Sequence, residues 1–271
     1  MPELPEVETT RLGLKPLLNK TIKEMVVRDH RLRWPIDVNI KNIIKNNVIH
    51  DVKRRAKYLV FVLDDGFLLI HLGMSGRLSI VSKKENIKKH DHVDFIFHDS
   101  DLLLRFNDPR RFGSIHFEGG EIEQHFLIKH LGLEPLEKEF NSDYLFKKSR
   151  KKTQCIKKTI MDSRIVVGVG NIYASESLFL AAIKPTRRSG SMTKYECERL
   201  VIAIKRIIGD AIKMGGSSIN DYASADGSLG YFQQKHKVYG KAGLPCSQCG
   251  QLIVKKVLGQ RSSFFCKQCQ K

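Results

Sequence analysis

Four cysteines near the end of the chain constrain its fold more than any other feature. They form two Cys-x-x-Cys pairs, Cys246 with Cys249 and Cys266 with Cys269, and sixteen residues separate the pairs. Each such turn directs two thiolates at one ion, and this spacing is typical of a tetrahedral Cys₄ zinc site. Because four thiolates leave no position for water, we expect one structural zinc ion; a redox role for one pair is the alternative. Zinc would allow a segment with few apolar residues to fold.

The chain is also strongly basic. Its 271 residues include 47 Lys and Arg but only 29 Asp and Glu, which gives a formal net charge of +18. A field of that sign concentrates polyanions at the protein surface, and nucleic acid is the commonest polyanion that a folded protein meets. Between the cysteine pairs, basic and polar residues around Arg261 are flanked by apolar ones. This pattern favours a two-stranded ribbon whose basic tip contacts phosphates, with a solvated hairpin as the alternative.

The sequence gives no sign of a membrane or secreted protein. No run approaches 18 apolar residues, and acidic residues stand at the N-terminus, where a signal peptide would be basic. We therefore expect a cytoplasmic protein that does not associate with membranes.

The first part of the chain is rich in short β-type runs. A helix is predicted between Glu3 and about Leu18, and the runs that follow it up to Phe117 are TIKEMVVR, YLVFVL, FLLIHL, RLSIV, HVDFIF, LLLRF and SIHF. Asp64-Asp65-Gly66 predicts a hairpin turn between two of these runs. So many short strands at close spacing indicate a sandwich or a barrel.

Helical patterns take over after about Glu118. Thr193 and Glu196 form a potential capping box, and apolar residues then keep helical spacing up to Gly215. Another helix is predicted from Asn171, after the turn GVG, to Pro185. Its free N–H groups could hold a phosphate, with Lys157 adding charge. The glycines are too few for a dinucleotide-binding fingerprint.

The first six residues, MPELPE, place two prolines and two carboxylates close together. A frayed terminus of unusual composition is one interpretation. The other is chemical, because removal of Met1 would expose the secondary amine of Pro2 beside the carboxylates of Glu3 and Glu6.

Two loops in the β-rich part carry residues that could enter DNA. HLGMSG contains Met74, and NDPRRFG contains Arg110 and Phe112. Taken singly, each is more typical of a structural turn, with methionine as a filler of gaps. Together, an arginine and two apolar side chains on loops could fill the space of a displaced base.

These motifs resemble, in order and over essentially the whole chain, those of the bacterial formamidopyrimidine-DNA glycosylases, which repair oxidised purines. The resemblance rests on MPELPEVET, RRAKYL, KHDHV, DPRRFG, VVGVGNIYASE and the four-cysteine finger. It implies an α+β multidomain protein with DNA in the cleft between its halves. The expected domains are an N-terminal catalytic β-sandwich with a first helix (1–118), a helix-two-turn-helix DNA-binding domain (119–235) and a C-terminal Cys₄ zinc finger ribbon (236–271).

The resemblance also implies a reaction. The amine of Pro2 would attack C1′ of the damaged nucleotide, expel the base and leave an iminium that permits β- and then δ-elimination. Glu3 matches the general acid and base, Glu6 a supporting carboxylate, Lys57 a lysine near the lesion and Arg261 a phosphate-gripping finger arginine. The matching DNA contacts are His90, Arg110, Lys151, Lys157 and Asn171, and the matching wedge residues are Met74, Arg110 and Phe112. The expected partner is damaged double-stranded DNA, bound by a monomer.

One position departs from the family pattern. Asn220, in GGSSINDY, stands where relatives carry a lysine or arginine on the loop that closes over the extruded base. A neutral amide donates hydrogen bonds but supplies no charge. This departure puts the preference between 8-oxoguanine and ring-opened purines in question.

Two other functions stay open at this point. The sister enzyme for oxidised pyrimidines shares the fold and the proline nucleophile, but its opening typically reads PEGPE and it lacks a DPRRFG of this type. A non-catalytic zinc-containing DNA-binding module would need the charge, the zinc and the helices, but it would not need Pro2 at its terminus.

Overall fold

The computed structural model describes residues 2–217 and 232–271. Met1 and Asn220 lie outside these ranges. The described residues form two compact units: one comprises 2–129 together with 215–217, and the other comprises 130–214 together with 232–271. The finger cysteines therefore belong to the same unit as the helices that follow Glu118.

The first unit opens with a helix and continues as a β-rich domain. Its helices are α1 (Leu4–Gly13) and α2 (Ile40–Ile43), and its strands are β1 (Ile22–Val27), β2 (Asp51–Arg55), β3 (Tyr58–Leu63), β4 (Gly66–His71), β5 (Arg77–Ser82), β6 (Asp91–Phe97), β7 (Leu102–Asn107) and β8 (Ser114–Glu118). In the described part of the chain these strands form two antiparallel sheets, of order β1-β6-β7-β5 and β2-β3-β4-β8.

Apolar side chains from the two sheets share one core. Phe61 of β3 and Ile70 of β4 lie in it together with Phe95 of β6 and Leu104 of β7, and all four are at most 2% exposed. Two sheets that bury their facing sides against each other form a sandwich. The prediction of a β-sandwich preceded by a helix is therefore confirmed.

Local differences from the sequence prediction have identifiable causes. Strand β2 was missed because DVKRR contains one apolar residue, Val52; it is an edge strand that pairs with β3 along its whole length. The first helix ends at Gly13, earlier than predicted, and a 3₁₀ turn (Lys15–Leu17) follows around Pro16, which cannot continue the α-helical hydrogen bonds. The turn at Asp64-Asp65 does join β3 to β4, as predicted.

The second unit contains the remaining helices and the finger hairpin. Its elements are α3 (Ser142–Ser149), α4 (Ile156–Ile160), α5 (Asn171–Leu180), α6 (Lys194–Lys213), β9 (Val254–Leu258) and β10 (Arg261–Phe265). The predicted capping box begins α6: Glu196 N–H donates to Thr193 Oγ1 at 3.1 Å, and Thr193 N–H donates to Glu196 Oε2 at 2.8 Å. Helix α5 stops at Leu180, before the predicted end, because Ala182 turns into the left-handed region at φ +56°.

The helices of the described ranges do not resemble transmembrane helices. None of them is long enough and apolar enough to cross a bilayer.

Candidate functional site

The amino terminus begins a capped helix. Pro2 is buried, and Glu3, 3% exposed, is the N-cap of α1. Glu3 N–H donates to Glu6 Oε2 at 2.8 Å, and the Glu3 side chain accepts from the Glu6 backbone in a reciprocal capping box. Pro5 stands in the first turn, where its missing N–H costs nothing. Sequence reasoning missed this capping role, which excludes the frayed-terminus interpretation.

Glu6 has another backbone partner far along the chain. Its Oε1 accepts from Ser217 N–H at 2.7 Å, and the side chain is 2% exposed. At Gly216 the backbone φ is +79°, and a Cβ there would lie 2.8 Å from Glu6 Oε1. A larger residue would therefore displace Glu6, so glycine is needed at this position. Glu6 thus joins the start of α1 to the segment that follows α6.

Lys57 is half-buried in the tight turn between β2 and β3, where Ala56 adopts φ +55°. Arg54 fixes this turn. Its guanidinium donates to Ala56 O at 3.0 Å and to Glu8 Oε2 of α1 at 2.9 Å. The turn that carries Lys57 is therefore attached to α1, the helix whose N-cap is Glu3.

His71 lies close to Lys57 and was missed by sequence reasoning. Burial, together with the charges of Lys57 and Arg33, lowers the pKa of His71 to about 4. Its ring centroid is 4.8 Å from that of Tyr58, and its Nδ1 accepts from Gly73 N–H at 3.0 Å. The imidazole is thus neutral at neutral pH. A signal was present, because His71 is the first residue of the HLGMSG motif.

The predicted wedge and a predicted DNA contact lie on loops of the first unit. Met74 is half-buried between β4 and β5, whereas Arg110 and Phe112 are exposed between β7 and β8. The guanidinium carbon of Arg110 is 5.2 Å from the ring centroid of Phe112. His90, at φ +82°, immediately precedes β6. Their contacts with DNA stay predictions.

In the second unit, Lys157 and Asn171 hold the finger hairpin. Lys157 Nζ donates to Asn171 Oδ1 at 2.7 Å, to Ser263 Oγ at 2.8 Å and to Ser262 O at 3.1 Å. Asn171 Nδ2 also donates to Ser262 O, at 3.0 Å. Lys157 is 1% exposed, so the structure shows it positioning β10, and a direct DNA contact by Lys157 stays a prediction.

The hairpin so held presents Arg261, which is exposed at the start of β10. The preceding Gln260 adopts φ +62° in the turn from β9. The segment that leads into the finger is anchored by Glu176 of α5, which is 2% exposed. Its carboxylate accepts hydrogen bonds from the N–H groups of residues 237, 238 and 239 at 2.8–3.0 Å. Lys151 is exposed just beyond the end of α3.

The four finger cysteines come together as predicted. Their sulfur atoms all lie within 4.8 Å of one another, with Cys246 Sγ 3.9 Å from Cys269 Sγ and Cys249 Sγ 3.5 Å from Cys266 Sγ. Tetrahedral zinc with bonds of about 2.3 Å would separate its sulfurs by about 3.8 Å. The donor set therefore fits one zinc ion, and because all four ligands are thiolates the ion is structural.

Comparison with known proteins covers nearly the whole chain. Residues 1–115 match the model of the formamidopyrimidine-DNA glycosylase N-terminal domain, residues 131–223 that of the H2TH domain of the same family, and residues 243–271 a zinc finger found in FPG and IleRS.

Full-length relatives agree. The formamidopyrimidine-DNA glycosylase of Hydrogenovibrio crunogenus is 48% identical over 272 residues, which covers 100% of this chain and 97% of that protein. The one from Yersinia pseudotuberculosis serotype O:1b is 49% identical and covers 100% of both chains.

Solved structures share the fold. A mutant of Lactococcus lactis FPG in complex with Fapy-dG-containing DNA superposes with a TM-score of 0.93 at 34% identity, over 100% of both chains. MutM (FPG) of Thermus thermophilus gives 0.89 at 36% identity, over 99% of this chain and 98% of that one. The chain belongs to the formamidopyrimidine-DNA glycosylase family.

Proposed function

We propose that this protein is a bifunctional DNA repair glycosylase, which excises oxidised purines from duplex DNA and then cleaves the strand as an AP lyase. The observation that carries the proposal is the amino-terminal arrangement, in which Pro2 precedes a capped helix that holds Glu3 and Glu6 beside it. The printed names of the relatives and the Fapy-dG-containing DNA bound to the Lactococcus lactis protein support the substrate class.

Pro2 is the nucleophile. Once Met1 is removed, the lone pair of its secondary amine forms a bond to C1′ while the C1′–base bond breaks, and the base leaves with the proton that the attached amine gives up. Glu3 protonates the sugar ring oxygen as the ring opens to the iminium, and it then serves as a base. The iminium acidifies C2′, so β-elimination expels the 3′ phosphate and δ-elimination expels the 5′ phosphate.

The other site residues support this chemistry. Glu6 holds the terminus, Lys57 acts near the lesion as a proton donor in elimination, and Arg261 grips the phosphates around it. A stacked base hides its glycosidic bond, so the nucleotide must be everted at a cost of a few kcal/mol. The residues that enter the duplex or hold its backbone are Met74, His90, Arg110, Phe112, Lys151, Lys157 and Asn171.

Several expectations accompany this function. The functional division is 1–118, 119–235 and 236–271, and the enzyme works as a monomer in the cytoplasm.

Asn220 tunes the preference between 8-oxoguanine and formamidopyrimidines. Asn220→Lys, assayed on both lesions, tests the last point: an unchanged ratio of excision rates would remove Asn220 from lesion selection.

Oxidised pyrimidines are a second candidate substrate class. The observation that favours them is a solved complex of wild-type Lactococcus lactis FPG with DNA that contains an oxidised pyrimidine. Parallel excision assays on 8-oxoguanine and thymine glycol measure the ratio. Faster release of the purine is expected.

Covalent trapping tests the main proposal. Protein whose lack of Met1 has been verified by N-terminal mass analysis is mixed with 8-oxoguanine duplex and borohydride, and a stable protein–DNA adduct is expected. There are two controls. Acetylated protein with the 8-oxoguanine duplex should give no adduct, and neither should the processed protein with an undamaged duplex. Equal trapping by the acetylated protein would exclude Pro2, and no adduct from the processed protein would favour a non-catalytic DNA-binding module.

A further inference from the structure

Asp108 is a fully buried carboxylate, 0% exposed, that begins the DPRRFG turn directly after β7. Both of its carboxylate oxygens accept hydrogen bonds from loops. Ser75 Oγ donates to Oδ1 at 2.7 Å, and Gly113 N–H donates to Oδ2 at 2.8 Å. The side chain therefore joins the loop of Met74 to both ends of its own turn.

The backbone of Asp108 reaches a third loop. Its N–H donates to His90 O at 3.1 Å, and its carbonyl oxygen lies 2.9 Å from His92 Nε2. The same carbonyl accepts from Arg111 N–H at 3.3 Å. One residue thus contacts the segment that carries His90 as well as the turn that carries the neighbouring arginines.

Ser75 extends this network. Besides donating to Asp108, its hydroxyl oxygen accepts from Arg110 N–H at 3.2 Å. Ser75 follows Met74 directly, so its hydroxyl joins the backbone next to Met74 to the backbone of Arg110, another of the predicted wedge residues. The loops concerned lie between β4 and β5, before β6, and between β7 and β8.

We propose that Asp108 is the positioning residue of the DNA-entering surface: it holds the loops of Met74, His90 and Arg110–Phe112 in one arrangement, so that they enter the duplex as a unit. The inference rests on the proposed function. If the three loops moved independently in the free protein, DNA binding would have to order them, at a cost in conformational entropy. That cost would reduce the binding free energy available for base eversion. A network formed in advance avoids that loss.

The position of the network separates this role from general stabilisation. The last residue of β7, Asn107, pairs with Arg77 of β5 and with Asp91 of β6. Strand pairing in this sheet therefore ends before the chain reaches Asp108, and the hydrogen bonds described above lie outside the paired strands. Weakening them should loosen the loops and leave the sandwich folded.

The experiment compares Asp108→Asn and Ser75→Ala with the wild type and with Asp101→Asn. Asp101 is exposed, so this control removes the same charge from the same domain without touching the network. Asparagine at 108 has one oxygen where two donors now bind, and alanine at 75 removes the hydroxyl that links Met74 to Arg110. Single-turnover rates are measured on 8-oxoguanine in a duplex and on an abasic site in single-stranded DNA, where no base needs to be everted.

We expect excision from the duplex to fall about tenfold in both variants, the effect of losing one or two hydrogen bonds. Cleavage at the single-stranded abasic site should stay at the wild-type rate, as should both activities of Asp101→Asn. The fluorescence rise of 2-aminopurine beside the lesion, which reports eversion, should slow by the same factor as excision.

Wild-type duplex rates in both variants would overturn the inference. An equal loss on both substrates with a lowered melting temperature would overturn it as well, because Asp108 would then be only structural. Failure of the proposed function looks different: the wild-type protein itself would form no borohydride adduct with either DNA.

Discussion

Buried charged residues hold functional segments in place within each of the two units. Glu3, Glu6, Asp108 and Lys157 are each at most 3% exposed. A charge removed from water is costly unless hydrogen bonds replace its hydration, and each of these groups has such bonds within its own unit. Each group either caps a helix or joins segments that are distant in sequence. The hydrogen bonds that offset the cost of burial therefore also fix the positions of these segments.

Glu3→Gln separates the capping role of Glu3 from its chemical role. The amide oxygen of glutamine can still accept from the Glu6 backbone, so the melting temperature should stay near that of the wild type. Proton transfer is lost, and base excision should fall by about 10²- to 10⁴-fold. Single-turnover kinetics and a thermal melt measure the two effects. A rate near the wild-type value would remove Glu3 from the chemistry.

His71 makes stability depend on pH. Its folded pKa is about 4, below the ordinary value of 6.5, so between these values the unfolded chain binds more protons. The free energy of unfolding should therefore fall as the pH decreases from 6.5 towards 4, by up to about 2 kcal/mol from this group at pH 5. Denaturant melts at pH 7.5 and 5 measure the loss, which should be smaller in His71→Gln. His130→Gln, at an exposed position, is the control, and equal pH dependence in all three proteins would contradict the assignment.

At the scale of elements, caps and anchors place the functional loops. Capping boxes start α1 and α6, and the hairpin turn of Lys57 is attached to α1 through Arg54. The β9–β10 hairpin is held through Ser262 and Ser263 of β10 by Lys157 and Asn171, so the neighbouring Arg261 projects from a fixed strand. Short elements that would be marginal alone thus gain order from specific polar contacts.

Lys157→Met tests the anchoring of the hairpin. Methionine fills a similar volume but leaves the oxygens of Asn171, Ser262 and Ser263 without the buried ammonium that now donates to them, at a cost of about 1–3 kcal/mol. Faster amide hydrogen exchange in β9 and β10 and a lower melting temperature are expected. Lys147→Met, exposed on α3, should change neither. Unchanged protection of the hairpin in Lys157→Met would show that other contacts suffice.

For the whole molecule, the dominant property is its charge of +18. This field brings the protein to DNA and supplies binding free energy that eversion then consumes. Sequence specificity is not needed for that step, because phosphates are the same along any duplex. Among the candidate basic contacts, Arg110, Lys151 and Arg261 are exposed as such binding requires, whereas Lys157 is buried.

Binding to lesion-containing DNA should weaken steeply with salt. Neutralising about four or five phosphates gives a slope near −4 in a plot of log binding constant against log salt concentration. Fluorescence anisotropy at several salt concentrations measures it. Arg261→Gln and Lys151→Gln should each make the slope shallower by about one unit. A flat titration would contradict the phosphate contacts altogether.

Much of the architecture was predictable because local patterns encode it. Short runs of β-type residues predicted seven of the strands of the sandwich, the Thr193–Glu196 box predicted the start of α6, and the Cys-x-x-Cys spacing predicted the zinc site. Each of these signals lies within a few residues of the element that it specifies. Strand β2 escaped because its edge position allows a charged sequence with little apolar pattern.

By itself, then, the sequence determined the order of the β-rich, helical and cysteine-containing parts and the metal ligands, and it predicted the amino-terminal residues that are proposed to carry the chemistry. Only the tertiary structure decided that Lys157 is buried beneath the finger hairpin, that Glu6 binds Ser217 and that Asp108 joins three loops. The physical reason is that the hydrogen bonds between these segments join residues from 16 to 211 positions apart. Their partners are chosen by how the sheets and helices pack, and no local pattern in the chain records that packing.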